Sequence, residues 1–534
     1  MSRSRNSPRL LLIALALLAL TGCSKSEPPA AAPTQILRIS QRNEPADLDP
    51  QLAALPDEFF VLRAINEGLV TPAPDGHGVL PGVAERWETS ADGLRWTFHL
   101  RADAKWSNGD AVTAHDFVYS FRRVLTPTLA APKAQLFFPL KNAAAYYRSE
   151  LHDFAQVGVA AFDDRTLVLT LEHATPHLLA LAASPPWLPV HPATVEKFGG
   201  GTQRGTAWTR PENSVGNGPF TLRAWRPNRE ITVVKSAIYW DAAHVRLAGI
   251  RFIAMDNGDA EERAFRAGQL DVTLAVPAPK LPFYEKAQPA VLRRVSLAET
   301  RYLAVNTQRA PLNDPRVRRA LALVIDRAAL TEKVQMGGQQ PALNYLPPGL
   351  GGYESAAKIS GTPAEARELL AAAGFPDGRG FPKLELSTWV NTPVLEAIQQ
   401  MWKQELNIVI TLAQREGKVH LAALGSGNFD LGFMPAIPDY NDPASLLGEL
   451  TTGTAGNYPH WSNADYDRLV AEAGHTTDPA SRTALYREAE AILLAELPVI
   501  PLYFNTQNFL LSPHVRGWQT DRLWTRFYHS VSLE

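Results

Sequence analysis

Residues 95–100 read Arg-Trp-Thr-Phe-His-Leu, and polar and apolar side chains alternate at every step of the stretch. Alternation with a period of two is typical of a β-strand that buries one face. Residues 166–171 are interpreted in the same way, and residues 37–40, 231–235 and 249–253 extend the strand-like pattern. Strands are therefore predicted in widely separated parts of the chain.

Predicted helices lie between these strands, and each begins at a residue that can cap a helix or at a proline that can open one. The starts are Thr113, Asp314-Pro315, Thr362-Pro363 and Asp478-Pro479. The second start predicts a helix over residues 316–334, and Gly374 is expected to end the third helix. These elements predict an α/β protein with mixed sheets. No repeat of roughly 20–50 residues recurs, which argues against a solenoid.

The first 22 residues predict export. Three arginines precede an apolar run over residues 10–20, which is too short for a permanent spanning helix and is typical of a signal peptide. The run leads into Leu20-Thr21-Gly22-Cys23, which resembles a bacterial lipobox. Cys23 is therefore predicted to carry a lipid. It is also the only cysteine in the sequence, so the fold does not rely on an internal disulfide.

The remainder of the chain is predicted to be a protein held at a membrane surface. Residues 23–34 are polar and rich in proline, as suits a semi-rigid tether behind the lipid. Signal-peptide removal takes away three arginines and no acids, so the net charge of −2 becomes −5, which gives no support to nucleic-acid binding. With 534 residues in all, two or three domains or lobes are expected.

Catalytic and metal-binding signatures are missing from the sequence. There is no His-Glu-x-x-His, no Cys-x-x-Cys and no phosphate loop, so no catalytic residue, metal site or cofactor is predicted. His173 and His177 lie four apart, but Pro176 between them disfavours the helical face that a metal pair needs. The glycines of residues 216–219 are interpreted as a turn, because Pro219 and a strand-like run follow them.

The segment Asp439-Tyr440-Asn441-Asp442-Pro443 carries the strongest sign of a ligand site. It follows residues 429–433, which are predicted to end a buried strand. A carboxylate there, near a cleft, suits capture of a ligand ammonium, since charge-assisted hydrogen bonds are strong away from bulk water. The alternative remains open that Asp442-Pro443 starts a helix and that Asp439 binds turn amides.

An ordered set of short motifs runs from about residue 37 to residue 518. In chain order they are Leu48-Asp49-Pro50, Glu67-Gly68-Leu69, residues 87–101, Lys105-Trp106-Ser107-Asn108-Gly109, residues 113–118, residues 215–220, Tyr239-Trp240, residues 313–320, residues 372–375 and residues 439–443. Together they resemble the periplasmic oligopeptide-binding proteins, the solute receptors of peptide-type ABC transporters.

The resemblance implies an α/β fold of the periplasmic-binding-protein type (type II, cluster C), with two hinged lobes of mixed sheets plus an accessory lobe. Lobe I would comprise residues 35–68, 190–292 and 503–534, lobe II residues 69–189, and the moving lobe III residues 293–502. The resemblance further implies a monomer without enzymatic activity. Its partners would be a short peptide and the permease subunits of an ABC importer, with the membrane reached only through the lipid anchor.

A peptide would bind between lobes I and III by strand addition, which gives affinity through main-chain hydrogen bonds without reading sequence. By position, Asp439 resembles the carboxylate that holds the α-amino group of a peptide. Further cleft-facing positions implied by the resemblance are Asn441, Asn457, Trp461, Tyr503, Ala54 and Leu55. Closure around the ligand would create the surface that the transporter recognises.

Three departures from the family pattern concern the ligand. Phe433 and Ala436 stand where peptide-binding members carry a basic residue and a tryptophan, and residues 270–276 lack a tyrosine-asparagine pair. Either peptides of another length bind, or the same fold binds a non-peptide solute such as a sugar oligomer, a metal chelate, haem or an opine-like compound. An anchored hydrolase is the third alternative, and it would need a clustered acid–base or nucleophile pair.

Overall fold

The structure is a computed structural model that describes residues 35–534 except Asn43, Asp75 and His77. The predicted signal peptide (1–22), lipidated Cys23 and tether (23–34) lie outside the described residues. Within the described part of the chain, no helix has the length and apolar character needed to cross a membrane.

Short strands and helices alternate along the whole described chain. The strands are β1 Ile36–Gln41, β2 Val70–Pro72, β3 Val79–Pro81, β4 Ala84–Thr89, β5 Arg95–Leu100, β6 Val159–Asp163, β7 Thr166–Thr170, β8 Phe220–Arg226, β9 Glu230–Lys235, β10 Gly249–Ala254, β11 Leu292–Val305, β12 Gln340–Pro341, β13 Leu384–Thr388, β14 Ile410–Gln414, β15 Leu431–Ala436, β16 Val499–Leu510, β17 Val515–Arg516 and β18 Ser532–Leu533. The helices are α1 Pro56–Ile65, α2 Ala114–Leu125, α3 Ala143–Tyr147, α4 Leu178–Ala182, α5 Pro192–Lys197, α6 Gly258–Arg266, α7 Leu281–Ala287, α8 Pro315–Leu323, α9 Arg327–Ala329, α10 Pro363–Ala372, α11 Pro393–Leu406, α12 Gly417–Gly425, α13 Ala444–Leu447, α14 Ala464–His475 and α15 Pro479–Glu496.

The local sequence signals match these elements closely. The period-two stretch 95–100 is β5, and the other four predicted strands differ from β1, β7, β9 and β10 by one residue at one or both ends. Side-chain caps form at three of the four predicted helix starts, as when the Thr362 hydroxyl accepts the Glu365 amide of α10. At the fourth, Thr113 and Asp116 form a capping box. The predicted α/β class with mixed sheets is confirmed.

The continuous helix predicted over residues 316–334 is wrong. Helix α8 ends at Leu323, and the short α9 begins after Asp326, whose carboxylate accepts the Ala329 amide. A π-helical turn, Leu330–Gln335, follows. Asp competes for backbone amides in this way, so it favours a new helix start over continuation.

The first unit is built on a four-stranded sheet of order β1-β10-β9-β8, in which β1 is parallel to β10 and the other pairs are antiparallel. Helix α1 packs its apolar face into the core of this sheet. The buried side chains there include Leu37, Phe60, Val233, Phe252 and Val531. Residues from both ends of the chain thus share one core.

The second unit is an antiparallel sheet of order β4-β5-β7-β6 covered by α2. The chain passes from the first unit to the second beside Glu67, whose amide donates to Asn217 Oδ1 at 2.9 Å while Asn217 Nδ2 donates back to the Glu67 carbonyl at 2.8 Å. The predicted turn at residues 216–219 lies against this crossing. A Cβ on Gly216 would stand 2.1 Å from the Ile65 carbonyl oxygen, so only glycine allows the close approach.

The third unit holds a six-stranded sheet of order β12-β16-β11-β15-β13-β14. Its long strands β11 and β16 pair antiparallel, with a register shift between Ser296 and Thr300. The Leu511 end of this pair packs in the core of the first unit, whereas Leu303 and Leu502 pack in the core of the third unit. One strand pair therefore links two cores. The lobe boundaries given above stay a prediction.

Candidate ligand-binding site

Asp439 lies where the third unit meets the second. It follows β15, and its amide donates to the Ser445 hydroxyl at 2.7 Å. Its Oδ2 accepts a hydrogen bond from Lys133 Nζ at 2.8 Å, and Lys133 belongs to the second unit. The two side chains are 14% and 19% exposed, so this ion pair is largely shielded from water. A carboxylate of the third unit is thus held by a cation of the second.

Glu449 is a second carboxylate beside Lys133. It lies in the turn Gly448–Leu450, and its side chain accepts no hydrogen bond from the described residues. Burial raises the pKa of Glu449 to about 7 against the opposing effect of Lys133, and Asp439 adds to the rise. Burial also disfavours the charged lysine, but the charges of Asp439 and Glu449 outweigh it and raise the pKa of Lys133.

Asp442, three residues after Asp439, accepts hydrogen bonds at both carboxylate oxygens. Arg482 donates from Nη1 and Nη2 to its two oxygens, each at 2.8 Å, and the Ala444 amide donates to Oδ1 at 2.9 Å. Arg482 Nη2 also donates to His177 Nδ1 of the second unit at 3.0 Å. Burial lowers the pKa of His177 to about 4, so its ring is neutral at pH 7 and can accept this bond.

Asn441 makes another contact between the second and third units. Its Nδ2 donates to the Gly76 carbonyl of the second unit at 2.9 Å, and its Oδ1 accepts the Gly351 amide at 2.8 Å. Both ends of the amide are therefore used within the protein. Direct contact between Asn441 and a ligand stays a prediction.

Asn457 and Trp461 occupy one turn inside the third unit. Asn457 donates to the carbonyls of Thr451 and Trp461 and accepts the Trp461 amide. The indole of Trp461 is buried and donates to Glu496 at 2.6 Å. The polar groups of both residues are therefore used in hydrogen bonds within the third unit. Their contact with a ligand stays a prediction.

Tyr503, Ala54 and Leu55 lie away from this turn. Tyr503 is on β16, its hydroxyl accepts from Gln335 Nε2 at 3.2 Å, and burial raises its pKa to about 12. The amides of Ala54 and Leu55 donate to Glu58 Oε2 at 2.8 and 3.0 Å. Leu55 is 50% exposed. Strand addition there would use the Ala54 carbonyl oxygen, because both amides donate to Glu58 and the Leu55 carbonyl accepts the Glu58 amide of α1.

The two departures on β15 are buried positions. Phe433 is stacked on Trp389 with ring centroids 5.9 Å apart, and the guanidinium of Arg301 lies 5.9 Å from its ring centre. Ala436 is also buried, but in a different core cluster of the third unit. Phe433 itself carries no charge, but Arg301 on the neighbouring strand β11 places a cation next to it. This placement depends on how β11 and β15 pair, which the sequence alone does not show.

Sequence reasoning missed Lys133, Glu449 and Arg482. Lys133 follows Ala131-Pro132 in a stretch without a motif, and Glu449 follows the recognised segment by several residues. The sequence around Lys133 and Glu449 contains no motif that would single them out. Their importance depends on which charged groups lie near them in the folded protein.

The comparisons with known proteins agree with this architecture. The model of the family "Bacterial extracellular solute-binding proteins, family 5 Middle" matches residues 78–458. The chain is 36% identical over 501 residues to the probable deoxycholate-binding periplasmic protein YgiS of Escherichia coli strain K12, with 91% of each chain covered. It is 32% identical over 524 residues to the periplasmic oligopeptide-binding protein OppA of Salmonella typhimurium, covering 95% of this chain and 94% of OppA.

The solved structure of the murein tripeptide binding protein MppA from Escherichia coli superposes with a TM-score of 0.86 at 33% identity, covering 94% of this chain and 99% of MppA. The superposition confirms the two-lobed periplasmic-binding fold. Members of this family are substrate-binding proteins, and OppA of Salmonella typhimurium and MppA of Escherichia coli are periplasmic. The chain belongs to family 5 of the bacterial extracellular solute-binding proteins.

Proposed function

We propose that this chain is the substrate-binding lipoprotein of an ABC importer, and that it captures short peptides in the cleft between its lobes and delivers them to the permease. The observation that carries the proposal is the shielded carboxylate of Asp439 at a junction between units, in a chain whose relatives include OppA and MppA. A ligand ammonium meets a strong acceptor there.

The other parts of the site have supporting roles in this proposal. Asp439 holds the α-amino group, and main-chain carbonyls near Ala54 take part in strand addition. Tyr503 lines the pocket on β16, and Asn441 ties the second unit to the third when the cleft is closed. Asn457 and Trp461 support the wall, with ligand contact there as the additional prediction made above.

Attachment completes the proposed function. The signal peptide (1–22) is removed, Cys23 takes the lipid, and residues 23–34 tether the folded monomer in the periplasm or cell envelope. The closed form then presents a surface to the permease. The permease therefore binds the ligand-loaded protein more tightly than the empty one.

Calorimetry with pools of free-amino di- to pentapeptides tests the proposal. We expect binding, and we expect Asp439→Ala to weaken it by about 2–5 kcal/mol because the ligand ammonium loses a shielded partner. The matched control is Asp465→Ala, an exposed carboxylate whose loss leaves affinity unchanged. N-acetylated peptides should bind poorly to the wild type. Absence of heat with every pool, or equal affinity for acetylated and free peptides, contradicts the proposal.

A second candidate keeps the fold and changes the ligand to a non-peptide solute. It is favoured by the 36% identity to a protein named for deoxycholate, and by Phe433 and Ala436 at the positions described above. Mass spectrometry of the small molecules that copurify with the protein separates the two candidates. Peptides in the extract support the first, and a sterol acid or sugar supports the second.

A further inference from the structure

Histidine rings from both sides meet where the second unit contacts the third. His173 of the second unit and His475, the last residue of α14 in the third unit, lie with their ring centroids 4.1 Å apart. His177 of the second unit stacks on Tyr440 of the third, with centroids 5.4 Å apart, and its Nδ1 accepts a hydrogen bond from Arg482 Nη2 at 3.0 Å. These contacts favour neutral rings, because two charged rings at such a separation repel each other and a protonated His177 cannot accept the bond.

Side chains alone hold the second and third units together within the described part of the chain. No strand of one unit pairs with a strand of the other, and no backbone–backbone hydrogen bond between described residues joins them. Besides the histidine contacts, the Lys133–Asp439 ion pair and the bond from Asn441 to the Gly76 carbonyl connect the same two units. A small number of side-chain contacts can therefore decide whether the units stay together.

The charged groups around the three rings already have partners. The titratable and charged residues that face the rings are Tyr440, Asp442, Arg482 and Tyr486, and those close to them in the chain are Glu172, Glu472 and Asp478. Asp442 and the Tyr486 hydroxyl both accept hydrogen bonds from Arg482. Glu172 and Asp478 accept backbone amides, and Glu472 pairs with Arg468. A positive histidine here would face Arg482 and another histidine without a carboxylate of its own.

We propose that His173, His177 and His475 form a pH-sensitive latch between the second and third units, which keeps the cleft closed while the rings are neutral and opens it when they gain protons. The inference rests on the proposed function in one respect, namely that closure of the cleft holds the ligand. It adds a condition for release, because a fall in pH separates the units and frees the ligand. The histidines act on the arrangement of the units and need not contact the ligand.

The sign of the pH dependence follows from the difference between the closed and open arrangements. In the closed arrangement, burial lowers the pKa of His177 to about 4 against the opposing effect of Asp442, and burial together with His173 lowers the pKa of His475. Rings exposed by opening return toward the ordinary value of about 6.5. The open form then binds more protons, so closure is fully favoured above that pH and weakens below it. Each histidine that closure keeps neutral reduces ligand affinity by up to roughly tenfold per pH unit.

Calorimetry between pH 5.0 and 7.5 tests the latch, with an equimolar mixture of free-amino alanine peptides of two to five residues as the probe. We expect the loss of affinity between pH 6.5 and 5.0 to be at least about tenfold larger in the wild type than in the double variant His177→Gln, His475→Phe. Glutamine keeps an acceptor for Arg482 and phenylalanine keeps a ring beside His173, but neither side chain titrates. Glu449 and Glu67 titrate equally in both proteins.

The matched control is His152→Gln, which changes an exposed histidine of the second unit and should follow the wild type. Circular dichroism at each pH shows whether the proteins are folded. Should the double variant fail to fold, His475→Phe alone must still reduce the loss of affinity. Identical pH profiles in the wild type and the folded variant overturn the latch and leave peptide capture standing.

A separate measurement tests the latch if no peptide binds at any pH, a result that removes the proposed function. Small-angle X-ray scattering of the free protein then reports the separation of the units. We expect the radius of gyration of the wild type to rise between pH 7.5 and 5.0 and that of the double variant to stay constant. An unchanged radius in the wild type, or an equal rise in both proteins, overturns the inference.

Discussion

Asp439 and Asp442 are three residues apart, and both face the second unit, but their surroundings differ. Asp442 accepts two hydrogen bonds from the guanidinium of Arg482 and one from the Ala444 amide. Asp439 pairs with one lysine, whose charge also acts on Glu449, a carboxylate that accepts no hydrogen bond from the described residues. A carboxylate whose acceptors are filled by the protein holds the structure together. A cluster left incomplete can receive a ligand.

Removal of Arg482 should have the largest effect on stability, because it takes away the donors that fill the acceptors of Asp442. Arg482→Leu leaves Asp442 buried and unpaired, so the free energy of unfolding should fall by about 3–5 kcal/mol. Urea denaturation followed by circular dichroism measures this. Arg468→Leu is the control, since both partners of Arg468 are exposed and its loss should change stability by less than about 0.5 kcal/mol. A loss below about 1 kcal/mol in Arg482→Leu contradicts the structural role of Asp442.

The pH dependence of stability should show how strongly burial affects Glu449, in contrast to the paired Asp442. Its pKa is raised in the folded protein to about 7, so the folded state binds a proton that the unfolded state releases near its ordinary value. The stabilisation is therefore complete below that ordinary value and is lost as the pH rises through 7. Glu449→Gln should remove a fall on the order of 3 kcal/mol from the wild-type curve.

Urea titrations of wild type and Glu449→Gln between pH 4.5 and 7.5 measure this difference. Glu67, whose pKa burial also raises to about 7, contributes equally to both proteins and cancels. Parallel curves for the two proteins mean that Glu449 is not shielded as the structure indicates.

Lys133→Met should give the smallest effect, because the Lys133–Asp439 pair is partly accessible to water. We expect a loss of about 1 kcal/mol in the free energy of unfolding. The pKa of Glu449 should rise, since its nearby cation is gone, and the pH range over which stability falls should move upward with it. Urea titrations at pH 6, 7 and 8 measure the shift, and an unchanged pH profile contradicts a direct effect of Lys133 on Glu449.

Local signals in the sequence predicted much of the fold. The strand at residues 95–100 and the helix starts at Thr113 and Thr362 depend on neighbours within a few residues, so one sequence contains the information. The break after Leu323 was missed because the apolar pattern continues past it, while the Asp326 side chain captures a backbone amide. Pattern and capping compete there, and only the folded backbone shows which one wins.

The sequence by itself determined the family motifs, the strand that ends before Asp439 and the presence of a carboxylate in that segment. Tertiary structure alone decided that Lys133, 306 residues away along the chain, pairs with Asp439, and that Arg482 fills the acceptors of Asp442. Periodicity and capping act between neighbours in sequence. Ion pairing and desolvation depend on distance and burial in space, and these exist only once the second and third units have met.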